Sequence, residues 1–224
     1  MIRPVLRSLP LLALLSVSAC GPSAPPPAVP SPLQAAIDQR DALAISDALE
    51  GLIADGVDTD RDRQLAYDEV RRKEAPTAPY ALARALVTGR LVQTKGLTAA
   101  LLVREMEEWA ERSQKLDPAF RGGAAARTLG TLYVLAPSSL LAHGDSEKGL
   151  EILEKVRAEH PEALENHLRY AEALIALGDP GPATEPLCKC LAEKAKLRKD
   201  DQRLLEKLVQ DAGSPACPGA PATP

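Results

Sequence analysis

From residue 33 to residue 212 the apolar positions return every three or four residues, the spacing of one face of an α-helix. Ile45, Leu49, Leu52 and Ile53 form one stripe, and Leu82 and Leu86 begin a second. Ala125, Leu129, Leu132 and Ala136 form a third, and Leu204, Leu205, Leu208 and Val209 a last. Gly56, Gly96, Gly144 and Gly178 fall where helices are expected to stop. Asp117-Pro118, His160-Pro161 and Asp179-Pro180 fall where new helices are expected to start, with proline supplying the first-turn φ. The pattern predicts about nine or ten helices and no strand. β-Branched residues are few and Ala, Leu, Glu and Arg dominate this stretch, which disfavours an all-β fold.

The second half repeats. Gly144-Asp145 returns as Gly178-Asp179, 34 residues on, and at the same offset Leu153 returns as Leu187 and Val156 as Cys190. That is the tetratricopeptide period, two antiparallel helices per unit stacked into a superhelix. The preceding unit is longer, and the excess matches an apolar insertion over 134–142 that contains Pro137, Leu140 and Leu141. The expected fold is therefore all-α, with stacked antiparallel helix pairs in a tetratricopeptide-like superhelix.

The ends differ from the body. Residues 1–19 carry Arg3 and Arg7 ahead of the apolar run 9–19, which is too short for a bilayer-spanning helix of about 20 residues. The run closes on Val17-Ser18-Ala19-Cys20, which resembles the lipobox of bacterial lipoprotein signal peptides. The resemblance implies that Cys20 is lipidated and becomes the first residue of the mature chain, anchored by several acyl chains. Gly21 is not the aspartate that retains such proteins at the inner membrane, so the periplasmic face of the outer membrane is expected. Residues 20–32 then hold Pro22, Pro25, Pro26, Pro27, Pro30 and Pro32, an extended tether of roughly 35–40 Å. Residues 213–224 are again rich in Pro, Ala and Gly and read as a loose tail.

Charge and composition narrow the function. The net charge is −4, and losing Arg3 and Arg7 makes the mature chain more acidic, which argues against nucleic acid. Aromatics are 3% of residues, too few for stacking platforms. The sequence has no nucleophile elbow, P-loop or dinucleotide fingerprint. His143, His160 and His167 have no partner at zinc-ligand spacing, so neither a metal nor a cofactor is expected. Asp60/Asp62, Glu107/Glu108 and Asp200/Asp201 read as solvated faces rather than acid–base pairs. An enzyme is disfavoured.

Several marks occur in a fixed order. They are Trp109-Ala110, Leu116-Asp117-Pro118, Gly122-Gly123, Arg127-x-Leu129-Gly130-x-x-Tyr133, Pro137, Gly144-Asp145-x-Glu147-Lys148-Gly149, Pro161 and Tyr170-Ala171-Glu172. Over residues 106–211 this order resembles the T component of TRAP (tripartite ATP-independent periplasmic) transporters, a family of periplasmic tetratricopeptide-like lipoproteins. The resemblance implies a helical-repeat fold with a central channel or groove. It also implies association with a periplasmic solute-binding protein, in systems that commonly carry organic acids. The alternative is a protein-interaction scaffold for envelope assembly or maintenance, using the same concave surface. A homo-oligomer stays open.

Three groups of residues are candidates. The helix after Phe120 is apolar nearly all round and carries Arg127 as its only charge. A buried guanidinium must be paired, either with a structural carboxylate or with a ligand carboxylate in the channel. Thr131 and Tyr133 on the same helix are further ligand-binding candidates. Pro137, Leu140 and Leu141 either cap the core or form a groove lip or partner-docking patch. With Cys20 lipidated, Cys188, Cys190 and Cys217 remain in an oxidising compartment. Cys188 and Cys190 point about 200° apart on one helix and do not easily bond each other. Cys217 is therefore expected to pair with Cys188 or Cys190, and the rim position assigned to Cys190 favours Cys190–Cys217.

Overall fold

The computed structural model describes residues 31–95 and 99–217. The leader, Cys20, most of the Pro-rich tether, Gly96 and the last residues of the tail lie outside the described residues. Ten α-helices follow in chain order: α1 (Pro32–Gln39), α2 (Ala42–Asp55), α3 (Asp60–Arg71), α4 (Ala78–Lys95) and α5 (Ala100–Leu116). After them come α6 (Ala124–Leu135), α7 (Ser146–Glu159), α8 (Leu164–Ala176), α9 (Thr184–Ala192) and α10 (Lys199–Asp211). The described residues form no strand, and none of their helices is long and apolar enough to cross a membrane. The fold is all-α and tetratricopeptide-like.

Local chemistry sets the helix ends. Asp41 accepts the backbone N–H groups of Leu43 and Ala44 at the start of α2. Thr59 and Asp62 satisfy each other's backbone donors at the start of α3, a capping box. Asp145 caps α7 through the N–H of Lys148. Gly56 closes α2 at φ +70°, a conformation that costs glycine little. Two expectations about ends fail. Pro118, Pro161 and Pro180 do not open helices, because α6, α8 and α9 begin at Ala124, Leu164 and Thr184, after a turn in each case. Gly144 does not stop a helix either: α6 has ended at Leu135, and Gly144 lies face-on to the Tyr133 ring, where a Cβ has no room. Nearer the start of the chain, Pro32, read in the sequence as part of the tether, belongs to α1, with Ser31 as its cap.

Helices α1 to α4 enclose one apolar core around Leu33, Leu49, Val70 and Leu91. Helices α8 to α10 enclose another around Leu168, Leu187, Cys190 and Leu205. Between them α6 packs on α5, α7 and α8 and touches α4. Helices α6 and α7 approach closely. A Cβ on Gly130 would lie 2.6 Å from Leu153 Cγ and 2.9 Å from the carbonyl of Gly149. The repeat period holds at the buried positions: Leu153 and Leu187 are both fully buried, as are Val156 and Cys190.

The two ends of the stack meet. Helix α10 packs on α2 as well as on α8 and α9. Arg203 donates to the carbonyls of Ala54 and Ile53 at 3.1 and 3.3 Å at the C-terminus of α2, where the Ile53 carbonyl also accepts the Gly56 N–H. Lys199 pairs with Asp55 at 2.7 Å. The repeat stack is therefore bent round until its last helix touches its second, and a half-open cavity lies on its inner side.

Candidate functional site

The cavity has a volume of about 620 Å³ and is lined from α2, α4, α5, α6, α8 and α10. Its apolar wall is Leu82, Leu86, Met106 and Leu135. Its polar wall is charged, and nearly all of that charge is internally paired. Glu50 on α2 accepts two hydrogen bonds from Arg90 on α4, at 2.6 and 2.7 Å, and one from Arg198 at 2.5 Å. Burial pushes the Glu50 carboxyl up, but the hydrogen bonds and charge of Arg90, with Arg198, win and hold it at about 2. Arg169 on α8 bonds Glu172 and Asp201 at 2.8 and 2.7 Å. Arg121 holds Asp47 with two bonds of 2.6 Å.

Arg127 is different. It projects from α6 into this cavity and donates to the amide oxygen of Asn166 at 2.6 Å. Asn166 is held in turn by donating to the Gly122 carbonyl at 3.0 Å. The expected carboxylate partner is not there: no described carboxylate lies within the 4.0 Å of an ion pair. Burial pushes the Arg127 guanidinium down to about 10, opposed chiefly by the charge of Glu165. It stays cationic at neutral pH, and among the described residues its side-chain partner is a neutral amide. Thr131, one turn on, also lines the cavity, and its Oγ1 is buried without a hydrogen-bond partner.

The other candidates lie elsewhere. Tyr133 is two residues past Thr131, about 200° round the helix, and so faces away from Arg127. It packs with Ala85, Ala110 and Leu129, and its hydroxyl reaches Glu111 at 3.2 Å. It is not a cavity residue. Pro137 is exposed, and Leu140 and Leu141 pack against Ala99, Val103 and Leu132. None of the three is a lip of this cavity.

Two readings of acidic residues are corrected. Glu107 and Asp201 are not solvated: they are 1% and 3% exposed. Glu107 accepts the backbone N–H groups of Ala142 and His143, each at 2.8 Å, and so pins the 134–142 insertion to α5. This brings His143 near Glu107 and Glu111, a convergence that sequence spacing did not show. Both oxygens of Glu107 are already engaged by the backbone, so the trio reads as a loop anchor. Asp201 is needed at the cavity wall, where Arg169 and Arg198 face it.

The disulfide joins Cys217 to Cys188, not to Cys190. Cys190 is fully buried in the α8–α10 core, its thiol directed at the Leu164 carbonyl at 3.5 Å and pushed up to about 12 by burial. Cys188 is on the accessible side of α9 and receives the tail, which is therefore fastened at Cys217. The cavity residues not singled out by the sequence include Glu50, Arg90, Glu165, Arg169 and Arg198, and Asn166 stands behind them as the partner of Arg127. They come from α2, α4, α8 and the residue before α10, and the meeting of the two ends of the stack brings Arg198 to Glu50.

Residues 140–185 match the tetratricopeptide repeat family. The matched segment covers α7 and α8, an antiparallel pair, and the start of α9. No curated protein matches the chain.

Proposed function

We propose that this protein is a non-catalytic helical-repeat scaffold that docks another protein of the cell envelope. The observation that carries this reading is the tetratricopeptide match over 140–185, on a helix pair within a continuous stack of such pairs. Repeats of this kind offer extended surfaces to protein partners. The lipobox-like Val17-Ser18-Ala19-Cys20 and the prolines behind it support a lipid anchor at the periplasmic face of the outer membrane, with the folded body held off the bilayer. The test is crosslinking in intact cells, followed by mapping of the linked residues. Partner links concentrated on α7 to α9 support the scaffold. Links confined to the tether or tail, with the repeat surface free, refute it.

A specific observation favours a second reading, a T-component-like role in which the ring binds or passes a solute beside a periplasmic solute-binding protein. That observation is the half-open cavity with Arg127 facing it and no described carboxylate paired with Arg127. Native mass spectrometry of the protein purified from its own envelope tests it. A stoichiometric small-molecule adduct, lost in Arg127→Gln, supports a solute. An adduct-free spectrum under conditions that preserve the fold counts against one.

A further inference from the structure

The charges around the cavity separate into two classes. Arg90, Arg121, Arg169 and Arg198 each bond a carboxylate, and Asp47, Glu50, Glu172 and Asp201 each bond an arginine. Arg127 and Glu165 are left over. Among the described residues Arg127 has only the Asn166 amide, and Glu165 has no side-chain hydrogen bond or ion pair. Both line the same cavity, and Glu165 is near enough to influence the guanidinium. They are nevertheless beyond the 4.0 Å at which they would form an ion pair. Their elements explain why they stay apart. Arg127 is held by Asn166, and Glu165 stands on the rigid first turn of α8 immediately before Asn166.

We infer that the cavity binds a small zwitterion of the amino-acid or short-peptide class, its carboxylate on Arg127 and its ammonium on Glu165. The inference rests on the second functional reading, that the cavity takes a solute, and specifies its chemistry. A mono-anionic ligand would satisfy Arg127 and leave Glu165 facing the bound carboxylate across the cavity. Like charges in that arrangement disfavour binding. A cation would meet the reverse problem at Arg127. A zwitterion satisfies both ends, and its carboxylate also finds the unpartnered Thr131 hydroxyl, which can donate. The aliphatic wall of Leu82, Leu86, Met106 and Leu135 accommodates an apolar side chain between or beside the two charges. The volume of about 620 Å³ lies within the range of small-molecule sites.

The experiment is isothermal titration calorimetry on the full chain in detergent micelles at pH 7. The probes are L-leucine, 4-methylpentanoate and 3-methylbutylamine, which share one hydrocarbon skeleton and differ in their charged ends. 6-Aminohexanoate and the dipeptide Ala-Leu extend the separation between charges. At least one zwitterion is expected to bind ten-fold or more tighter than either single-charge probe. Glu165→Gln is expected to erase that margin while preserving or improving the binding of 4-methylpentanoate. Arg127→Gln is expected to weaken the zwitterion and 4-methylpentanoate alike. The Glu165 side chain makes no hydrogen bond or ion pair among the described residues, so its variant keeps the test informative if Arg127→Gln fails to fold. Equal binding of 4-methylpentanoate and the zwitterions overturns the inference and leaves the solute reading standing. Failure of every probe to bind at 10 mM overturns both.

Discussion

Glu50 joins the two ends of the ring through buried charge. It receives Arg90 from α4 and Arg198 from the segment leading into α10, so one carboxylate joins the beginning of the stack to its end. Its side chain is 10% exposed, so solvent screens these contacts little. Replacing it as Glu50→Gln keeps the shape and removes the charge, leaving Arg90 and Arg198 to share Asp200, 3.9 Å from the first and 2.9 Å from the second. Breaking a buried pair from one side costs about 3–5 kcal/mol. An independent route gives a similar figure. The folded carboxyl titrates near 2 against an ordinary 4.5, and that difference is worth roughly 3 kcal/mol at 1.36 kcal/mol per unit. Because the folded value is depressed, the contribution is complete above the unfolded value and is lost as pH falls from about 5 towards 2. Urea unfolding of wild type and Glu50→Gln at pH 7, 4 and 2.5 measures it. The gap should be near 3 kcal/mol at pH 7 and should shrink at each acid step, as the wild-type carboxylate gains its proton. Amide exchange in α10 should speed up in the variant more than exchange in α3, which does not touch this contact. A gap below about 1 kcal/mol at pH 7, or a gap that persists unchanged in acid, would refute the assigned role of Glu50.

Other outcomes can be checked separately. Cys188→Ser should free the thiol of Cys217 to alkylation and lower stability by roughly 3 kcal/mol, the scale for a closed loop of about 30 residues; peptide mapping that shows a Cys190–Cys217 bridge in wild type would contradict the fold around α9. Gly130→Ala should cost about 1–2 kcal/mol despite the better helix propensity of alanine, because its Cβ meets Leu153 and the Gly149 carbonyl. Gly51→Ala, in the interior of α2 with open space around it, should instead stabilise by about 0.5–1 kcal/mol, and equal thermal shifts for the two variants would contradict the close packing of α6 on α7. Cys20→Ala should leave the precursor unprocessed and release the protein from the membrane fraction on detergent partitioning; unchanged membrane association would remove the proposed anchor.

The helical body was legible because its cause is local. Spacings such as Ile45–Leu49–Leu52 and Leu204–Leu208 are set by burial of one helix face, and that face is buried in the fold. The cysteine pairing shows where a local argument needed a longer one. Considered within a single helix, Cys190 looked like a rim position. In the 34-residue register it takes the place of Val156, which lies in the core, and the register alone identifies Cys188 as the accessible thiol. The acidic pairs failed for a related reason. Glu107 and Asp201 lie in polar runs, but each is called inward by a partner distant in sequence, the 134–142 insertion for one and Arg169 for the other. No periodicity carries that information. The cavity was the least legible part, since Glu50 and Arg198 are joined only when the whole stack has curved round.

Helix α6 shows how packing and site depend on one another. Its positions divide by rotation. Leu129, Gly130 and Tyr133 face α5 and α7, whereas Arg127, Thr131 and Leu135 return at four-residue steps along the cavity side. A helix apolar all round would have been expected to bury all its faces alike, yet here one face is kept back from the core, and Leu135 is 48% exposed. What makes this possible is the opposite side. Gly130 and Gly149 let α6 and α7 come together without side chains between them. The packing of α6 is thereby drawn to one flank, away from α2 and α10, and space opens on the other. Arg127 stands in that space because Asn166, across on α8, holds it there by a neutral bond that leaves its charge uncompensated. The small residues at one face and the unpaired guanidinium at the other are thus two ends of a single arrangement.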